Sequence, residues 1–190
     1  MKYKAIVIGV SAGGIEALIR LLSALSNNFP LPIIIVQHLH PDQGKFYLSY
    51  FNALCSLTVK EADEKEPIQA GTVYFAPPNY HLLIEVEQRL SLNVDEKVNY
   101  SRPSIDVLFE TAAETYGSGL IGIILTGANH DGALGLRCIK RNGGLVIVQD
   151  PLDAELPIMP QAAIAATEVD YVLSLADIIQ FLQQLTPAHS

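Results

Sequence analysis

The sequence predicts an α/β fold: a doubly wound, mostly parallel sheet with an antiparallel hairpin section. Three observations carry that expectation. Short apolar runs alternate with segments of helical periodicity. The runs are apolar at nearly every position, as in strands covered on both faces. Glycine or polar turns follow them directly. With 190 residues the chain is expected to form one domain, residues 1–190, long enough for a full core.

Lys4–Val10 (KAIVIGV) reads as the first buried strand, and Ile15, Leu18, Leu21, Leu22 and Leu25 then recur at helical spacing. Pro32 opens a second run, Ile33–Val36, followed by Gln37 and His38. Phe46, Tyr47, Tyr50, Phe51 and Leu54 suggest a second helix. Thr72–Ala76, Leu82–Val86 and Leu90–Val94 are short and closely spaced, and are expected to form an antiparallel section or an edge excursion within the same domain. Pro103 introduces a helix over Ser104–Tyr116. Leu120–Leu125 and Leu145–Val148 are further buried strands, separated by a helix over Gly132–Arg141 that Gly143-Gly144 ends. Gln161–Ala166 and Leu175–Leu185 read as helices.

Composition excludes several classes. Hydrophobic residues make up 49% and charged residues 17%, too apolar for a disordered chain. The net charge of -8 argues against nucleic acid, whose binding depends on phosphate neutralisation. The densest basic stretch, Arg137–Arg141, lies on one side of a helix. Cys55 and Cys138 are far apart, without a CxxC or a neighbouring histidine, and are expected to be buried free thiols in a reducing cytosol. No metal or cofactor is implied. The N-terminal apolar run is short and breaks at Gly13-Gly14, unlike a signal peptide. No run approaches the ~20 apolar residues of a membrane span. The expectation is a soluble, cytoplasmic protein with no membrane insertion.

In open α/β sheets ligands bind at the carboxyl ends of the strands. Ser11 follows the first strand, His38 the second, and Asp131 the turn after Leu125. A hydroxyl, an imidazole and a carboxylate at three strand ends meet the needs of nucleophilic acyl transfer. The base takes the serine proton, and the carboxylate fixes its tautomer. Gly9-Val10-Ser11-Ala12-Gly13 has the G-x-S-x-G form, whose small residues allow a sharp turn beside backbone N–H groups.

Each residue also has a plainer reading. Ser11 can cap the helix near Gly14, His38 can be structural, and Asp131 can cap the helix that follows it. A Gly-rich loop after a first strand can also hold a nucleotide phosphate. Here the second glycine of G-x-G-x-x-G falls on Ser11, His38 stands where a ribose-binding acid belongs, and no Gly-Lys-Ser/Thr follows.

At these residues the chain resembles the catalytic domain of the chemotaxis protein-glutamate methylesterases, the CheB family. The resemblance rests on IGVSAGGIEAL (Ile8–Leu18), VQHLHP (Val36–Pro41), APPNYHLLI (Ala76–Ile84), SRPSIDVLF (Ser101–Phe109) and LTGANHDGALGL (Leu125–Leu136). It implies hydrolysis of glutamate γ-methyl esters on methyl-accepting chemoreceptor helices, with methanol released, and deamidation of particular receptor glutamines. It places the nucleophile on Ser11, the base on His38, the orienting carboxylate on Asp131, and the oxyanion donors on the backbone N–H groups of Ala12 and Ala128. It also implies the same doubly wound fold with a hairpin. Arg102 is a candidate for substrate binding, or equally a structural residue at a helix start. A methyltransferase or a separate regulator is a candidate partner.

The chain departs from the family pattern in three places. Ala12 stands where Thr is usual, and Ala128 and Asn129 stand where Met and Gly are common. Asn129 therefore raises the question of a left-handed backbone. His40 and His130 are competing imidazoles, with His38 preferred because it directly follows the strand. The usual N-terminal receiver domain finds no room before Lys4: either the esterase stands alone, in which case phosphorylation in cis would not control it, or the sequence is one domain of a longer protein. Two alternatives remain at this stage, a non-catalytic receptor- or partner-binding domain and a generic carboxylesterase.

Overall fold

A computed structural model describes residues 2–38 and 46–186. Its elements in chain order are β1 (Ala5–Val10), α1 (Gly14–Ser23), β2 (Ile33–Gln37), α2 (Phe46–Leu54), β3 (Thr58–Glu61), β4 (Thr72–Phe75), β5 (His81–Ile84) and β6 (Leu90–Asn93). They continue with α3 (Ile105–Tyr116), β7 (Leu120–Ile124), α4 (Ala133–Arg141), β8 (Leu145–Gln149), α5 (Ile158–Ala166), β9 (Tyr171–Leu173) and α6 (Leu175–Gln183). Seven strands form one sheet in the order β3-β4-β2-β1-β7-β8-β9, parallel throughout.

The central strands are buried at every position because helices cover both faces. Alternate side chains of β1 serve opposite cores. Ile6, Ile8 and Val10 pack with α1 and α6, through Leu18, Leu22 and Ile178. Ala5 and Val7 face the other side, where Leu108 and Phe109 of α3 and Leu136 of α4 pack. Each fully buried Ile or Leu contributes on the order of 1.5–3 kcal/mol of burial. The three-strand centre is therefore the most firmly held part of the sheet, and the strand ends that matter grow from it.

The antiparallel section is smaller than the spacing of its runs suggests. Among the strands of the described residues, only β5 and β6 pair antiparallel, as a separate two-stranded hairpin. Thr72–Ala76 belongs instead to the main sheet, where β4 lies parallel between β2 and β3. Val73, Tyr74 and Phe75 are all buried, the mark of a strand covered on both faces.

Two edge strands, β3 and β9, escaped the sequence reading. Each is short, with a single buried residue or none, so neither shows a continuous apolar run. Helix α5 starts at Ile158, earlier than expected. Cys55 and Cys138 are free but half-buried rather than buried, and burial pushes both thiols up from the ordinary range. Among the described residues no helix is long and apolar enough to cross a membrane.

Candidate active site

Strands β2, β1 and β7 are neighbours, so their carboxyl ends open on one crevice. The ladder runs one step past the strands. The His38 N–H donates to the Val10 carbonyl at 3.0 Å, and the Ser11 N–H to the Thr126 carbonyl at 3.0 Å. Ser11 and His38 thus leave the sheet side by side.

Gly13 follows in a left-handed conformation, φ 77°, and turns the chain into α1, which has no side-chain cap; capping is not what Ser11 does. Gly127 lets the neighbouring loop close in. A Cβ there would come within 2.2 Å of Met159 Sδ and 3.0 Å of Ser11 Cβ. Gln37 ties the two leading residues together, its Nε2 donating to the Ser11 carbonyl at 2.8 Å and the His38 carbonyl at 2.9 Å.

His38 Nε2 lies 3.0 Å from Asp131 Oδ2. The carboxylate is buried, and the ring is about one-seventh exposed, at 14%. Asp131 does not cap its own helix, since Gly132 stands at the N-cap of α4. It sits instead at the N-terminus of α3. It accepts from the Ile105 N–H at 2.6 Å, the Asp106 N–H at 3.2 Å, the Ser104 hydroxyl at 2.8 Å and Asn99 Nδ2 at 3.0 Å. A helix N-terminus favours an anion here. Burial pushes the Asp131 carboxyl up, but hydrogen bonds from His38, Asn99, Ile105 and Ser104 outweigh it and hold the group below the ordinary range.

Asp106, beside it, behaves oppositely. It accepts from the Gly135 N–H at 2.6 Å and Asn99 Nδ2 at 2.8 Å, yet burial raises its carboxyl, and the charge of Asp131 adds to the rise. Two adjacent buried carboxylates are thus pushed apart in acidity, Asp131 downward and Asp106 upward.

The turn before Asp131 carries Asn129. Its Oδ1 accepts from the Asp131 N–H at 2.9 Å, and its Nδ2 reaches His38 Nδ1 at 3.1 Å and Ser11 Oγ at 3.4 Å. Asn129 is not among the described residues with positive φ, so it requires no left-handed backbone. Among the described residues no protein acceptor binds the N–H of Ala12 or Ala128, which leaves both donors for a ligand. The Ala12 carbonyl is held by the Thr126 hydroxyl at 3.0 Å, so the turn after Ser11 is pinned to the end of β7.

Arg102 donates from Nη1 to the carbonyls of Val94 and Asp95 at 2.7 and 2.9 Å, which binds the end of the hairpin to the entry of α3. His81 of β5 supports the same entry. Its Nδ1 accepts from the Ser104 N–H at 3.2 Å, and its Nε2 meets the Glu96 carbonyl at 2.9 Å. A cleft of about 810 Å³ opens beside Ser11, lined by Glu16, Arg20, His38, Tyr50 and Glu155 among others. Among the described residues no cluster of three metal-ligating side chains occurs. Leu39, His40 and Pro41 lie outside the described residues.

Ser11, His38 and Asp131, predicted from three separate strand ends, therefore meet in one place. Sequence reasoning missed Gln37, Asn99, Ser104 and His81. Gln37 was adjacent to a predicted site residue, and Ser104 lay in a recognised motif, but the Ser11 partner of Gln37 stands 26 residues away in sequence and the His81 and Asp131 partners of Ser104 stand 23 and 27 away.

The CheB methylesterase family matches over residues 6–182. A protein of Leptospira interrogans serovar copenhageni is 57% identical over 185 residues, covering 97% of this chain and 96% of its own length. Two of the relatives that carry the name protein-glutamate methylesterase/protein-glutamine glutaminase are less similar. That of Thermotoga maritima is 37% identical over 96% of this chain, and that of Pseudomonas putida 36% identical over 93%. The chain spans about half the length of each, 54% and 47%. The crystal structure of the Thermotoga maritima CheB methylesterase catalytic domain superposes with a TM-score of 0.92 at 36% identity, covering 97% of this chain and 100% of that one.

Proposed function

Since the chain belongs to the CheB methylesterase family, we propose that it hydrolyses glutamate γ-methyl esters on chemoreceptor cytoplasmic helices through Ser11, His38 and Asp131. The same site suits deamidation of receptor glutamines. The observation that carries the reading is the convergence of these residues at three adjacent strand ends, with His38 Nε2 held 3.0 Å from the buried Asp131.

Asp131 fixes the Nε2–H tautomer, which leaves Nδ1 as the base. Ser11 Oγ attacks the ester carbonyl, and its proton passes to His38 Nδ1. The N–H groups of Ala12 and Ala128, the first beside the N-terminus of α1, stabilise the tetrahedral oxyanion. The C–O bond to the methoxy group breaks, and His38 returns the proton to methanol. Water then attacks the acyl-serine with His38 again as base, which frees the glutamate carboxylate and Ser11. An amide substrate would release ammonia at the first step.

Substrate recognition has to come from shape and local groups, since a net charge of -8 does not steer the protein toward acidic helices. The cleft carrying Glu16, Arg20 and Glu155 offers both signs of charge for a helix rich in polar residues. Labelled methanol release from methylated receptor is expected to fall to background in Ser11→Ala, and a fluorophosphonate to label wild-type Ser11. Hydrolysis that persists in Ser11→Ala would overturn the assignment, and turnover of simple esters alone would mark a generic esterase.

A further inference from the structure

The side-chain amide of Asn129 stands between the two groups that must exchange a proton. Its Oδ1 accepts from the Asp131 N–H, which fixes which end of the amide faces the site. The NH2 end points at both His38 Nδ1, at 3.1 Å, and Ser11 Oγ, at 3.4 Å. An amide NH2 is a donor only. His38 Nδ1 therefore accepts, and the ring proton sits on Nε2, toward Asp131. Ser11 Oγ accepts as well, instead of donating to the imidazole. Among the described residues Ser11 Oγ makes no direct hydrogen bond to His38.

We infer that Asn129 is a positioning residue that gates proton transfer between Ser11 and His38: it selects the tautomer able to act as base, and it occupies the lone pair that base must use. This rests on the triad reading above. The argument is one of differential stabilisation. In the resting site the amide hydrogen bonds to an unprotonated Nδ1. Once the Ser11 proton arrives, Nδ1–H and Nδ2–H are two donors facing each other, and the bond becomes repulsive. The amide has to withdraw before or during attack. An interaction made in the ground state and lost in the transition state slows the chemical step and leaves substrate binding alone. Withdrawal also frees His38 Nδ1 to accept from Ser11 Oγ, the contact that the attack requires. The net worth of one neutral hydrogen bond corresponds to roughly two- to tenfold in rate.

The test compares wild type with Asn129→Ala and Asn129→Ser. The Ser variant keeps a hydroxyl that can accept from the Asp131 N–H, but it is too short to reach His38. Three quantities are measured: kcat and KM for methyl ester hydrolysis on methylated receptor, the second-order rate of Ser11 phosphonylation by a fluorophosphonate, and the 15N resonances of His38. The expected result is a rise of about two- to tenfold in kcat and in phosphonylation rate for both variants. KM should stay unchanged, and the Nδ1 resonance should shift as its donor changes from the Asn129 amide to the Ser11 hydroxyl.

An unchanged rate in a variant with wild-type melting temperature overturns the gate. So does a slower one, which would make the amide an oxyanion donor instead. Should both variants fail to fold, the wild-type 15N spectrum decides, because a protonated Nδ1 there contradicts the tautomer. If the wild-type protein neither hydrolyses ester nor labels at Ser11, it is the functional reading that fails, and the gate falls with it.

Discussion

Ser11 and His38 are placed by the central parallel strands, one residue past β1 and β2, and their backbone is held by the sheet ladder and by Gln37. Asp131 is placed quite differently. Its carboxylate is seated against the N-terminus of α3 and the Asn99 amide, and that seat is braced in turn by Arg102 and by His81 of the hairpin. At the front of the site the reactive side chains carry little structural duty. At the back, one carboxylate both orients the imidazole and completes a helix end. Removing a front group should therefore cost activity alone, and removing the back group should cost activity and stability together.

The largest effects separate the two directly. His38→Ala is expected to lower kcat about 10⁶-fold and Asp131→Asn about 10⁴-fold, as loss of the base and of its tautomer do in triad enzymes. Ser11→Ala should leave the unfolding free energy within about 0.5 kcal/mol of wild type. Asp131→Ala, by contrast, strands the Ile105 and Asp106 N–H groups and the Ser104 hydroxyl, and should destabilise by several kcal/mol at about 1–3 per unsatisfied group. Equal stability of Ser11→Ala and Asp131→Ala in urea titration would break the front-and-back distinction.

A smaller effect is expected one step further back. Ser104→Ala removes one donor to Asp131 and should cost about 1.5–3 kcal/mol of stability, as for a hydrogen bond to a charged group. A drop in kcat with KM unchanged would show that the seat tunes the carboxylate as well as the fold.

The pH dependence sharpens the contrast between the two carboxylates. Asp131 is held below its unfolded value, so its stabilisation is full above the ordinary carboxylate range and is lost as pH falls through its folded pKa. Asp106 is raised, so the sign reverses, and its contribution is most favourable at low pH and declines as pH rises through its folded value. The stability gap between wild type and Asp131→Asn should close on acidification. The gap between wild type and Asp106→Asn should shift in favour of wild type. Parallel pH curves for the two variants would contradict this.

The smallest effect concerns Arg102, whose guanidinium holds the carbonyls of Val94 and Asp95. Arg102→Ala should cost roughly 1 kcal/mol and leave turnover of a small ester unchanged. A rise in KM confined to methylated receptor would give Arg102 the substrate role that its motif suggested.

The sequence by itself determined the doubly wound α/β class, because strands covered on both faces must be apolar at every position, and Ile33–Val36 and Leu120–Leu125 are. It also determined that Ser11 and His38 stand at the carboxyl edge, because a residue just past a buried strand is there wherever that strand sits in the sheet, whereas Asp131 lies farther along the turn that follows β7. Strand order did not follow. The continuous run of Val73–Phe75 looked like part of a hairpin until its parallel pairing with β2 was seen. Only the tertiary structure decided that Asp131 caps α3 and not α4, that Gln37 bridges two strand ends, and that the Asn129 amide reaches both Ser11 Oγ and His38 Nδ1. The physical reason is range. Apolar periodicity is a local property written over a few residues, whereas each of these hydrogen bonds joins partners that only the packing of the sheet and α3 brings within 3 Å or so of each other.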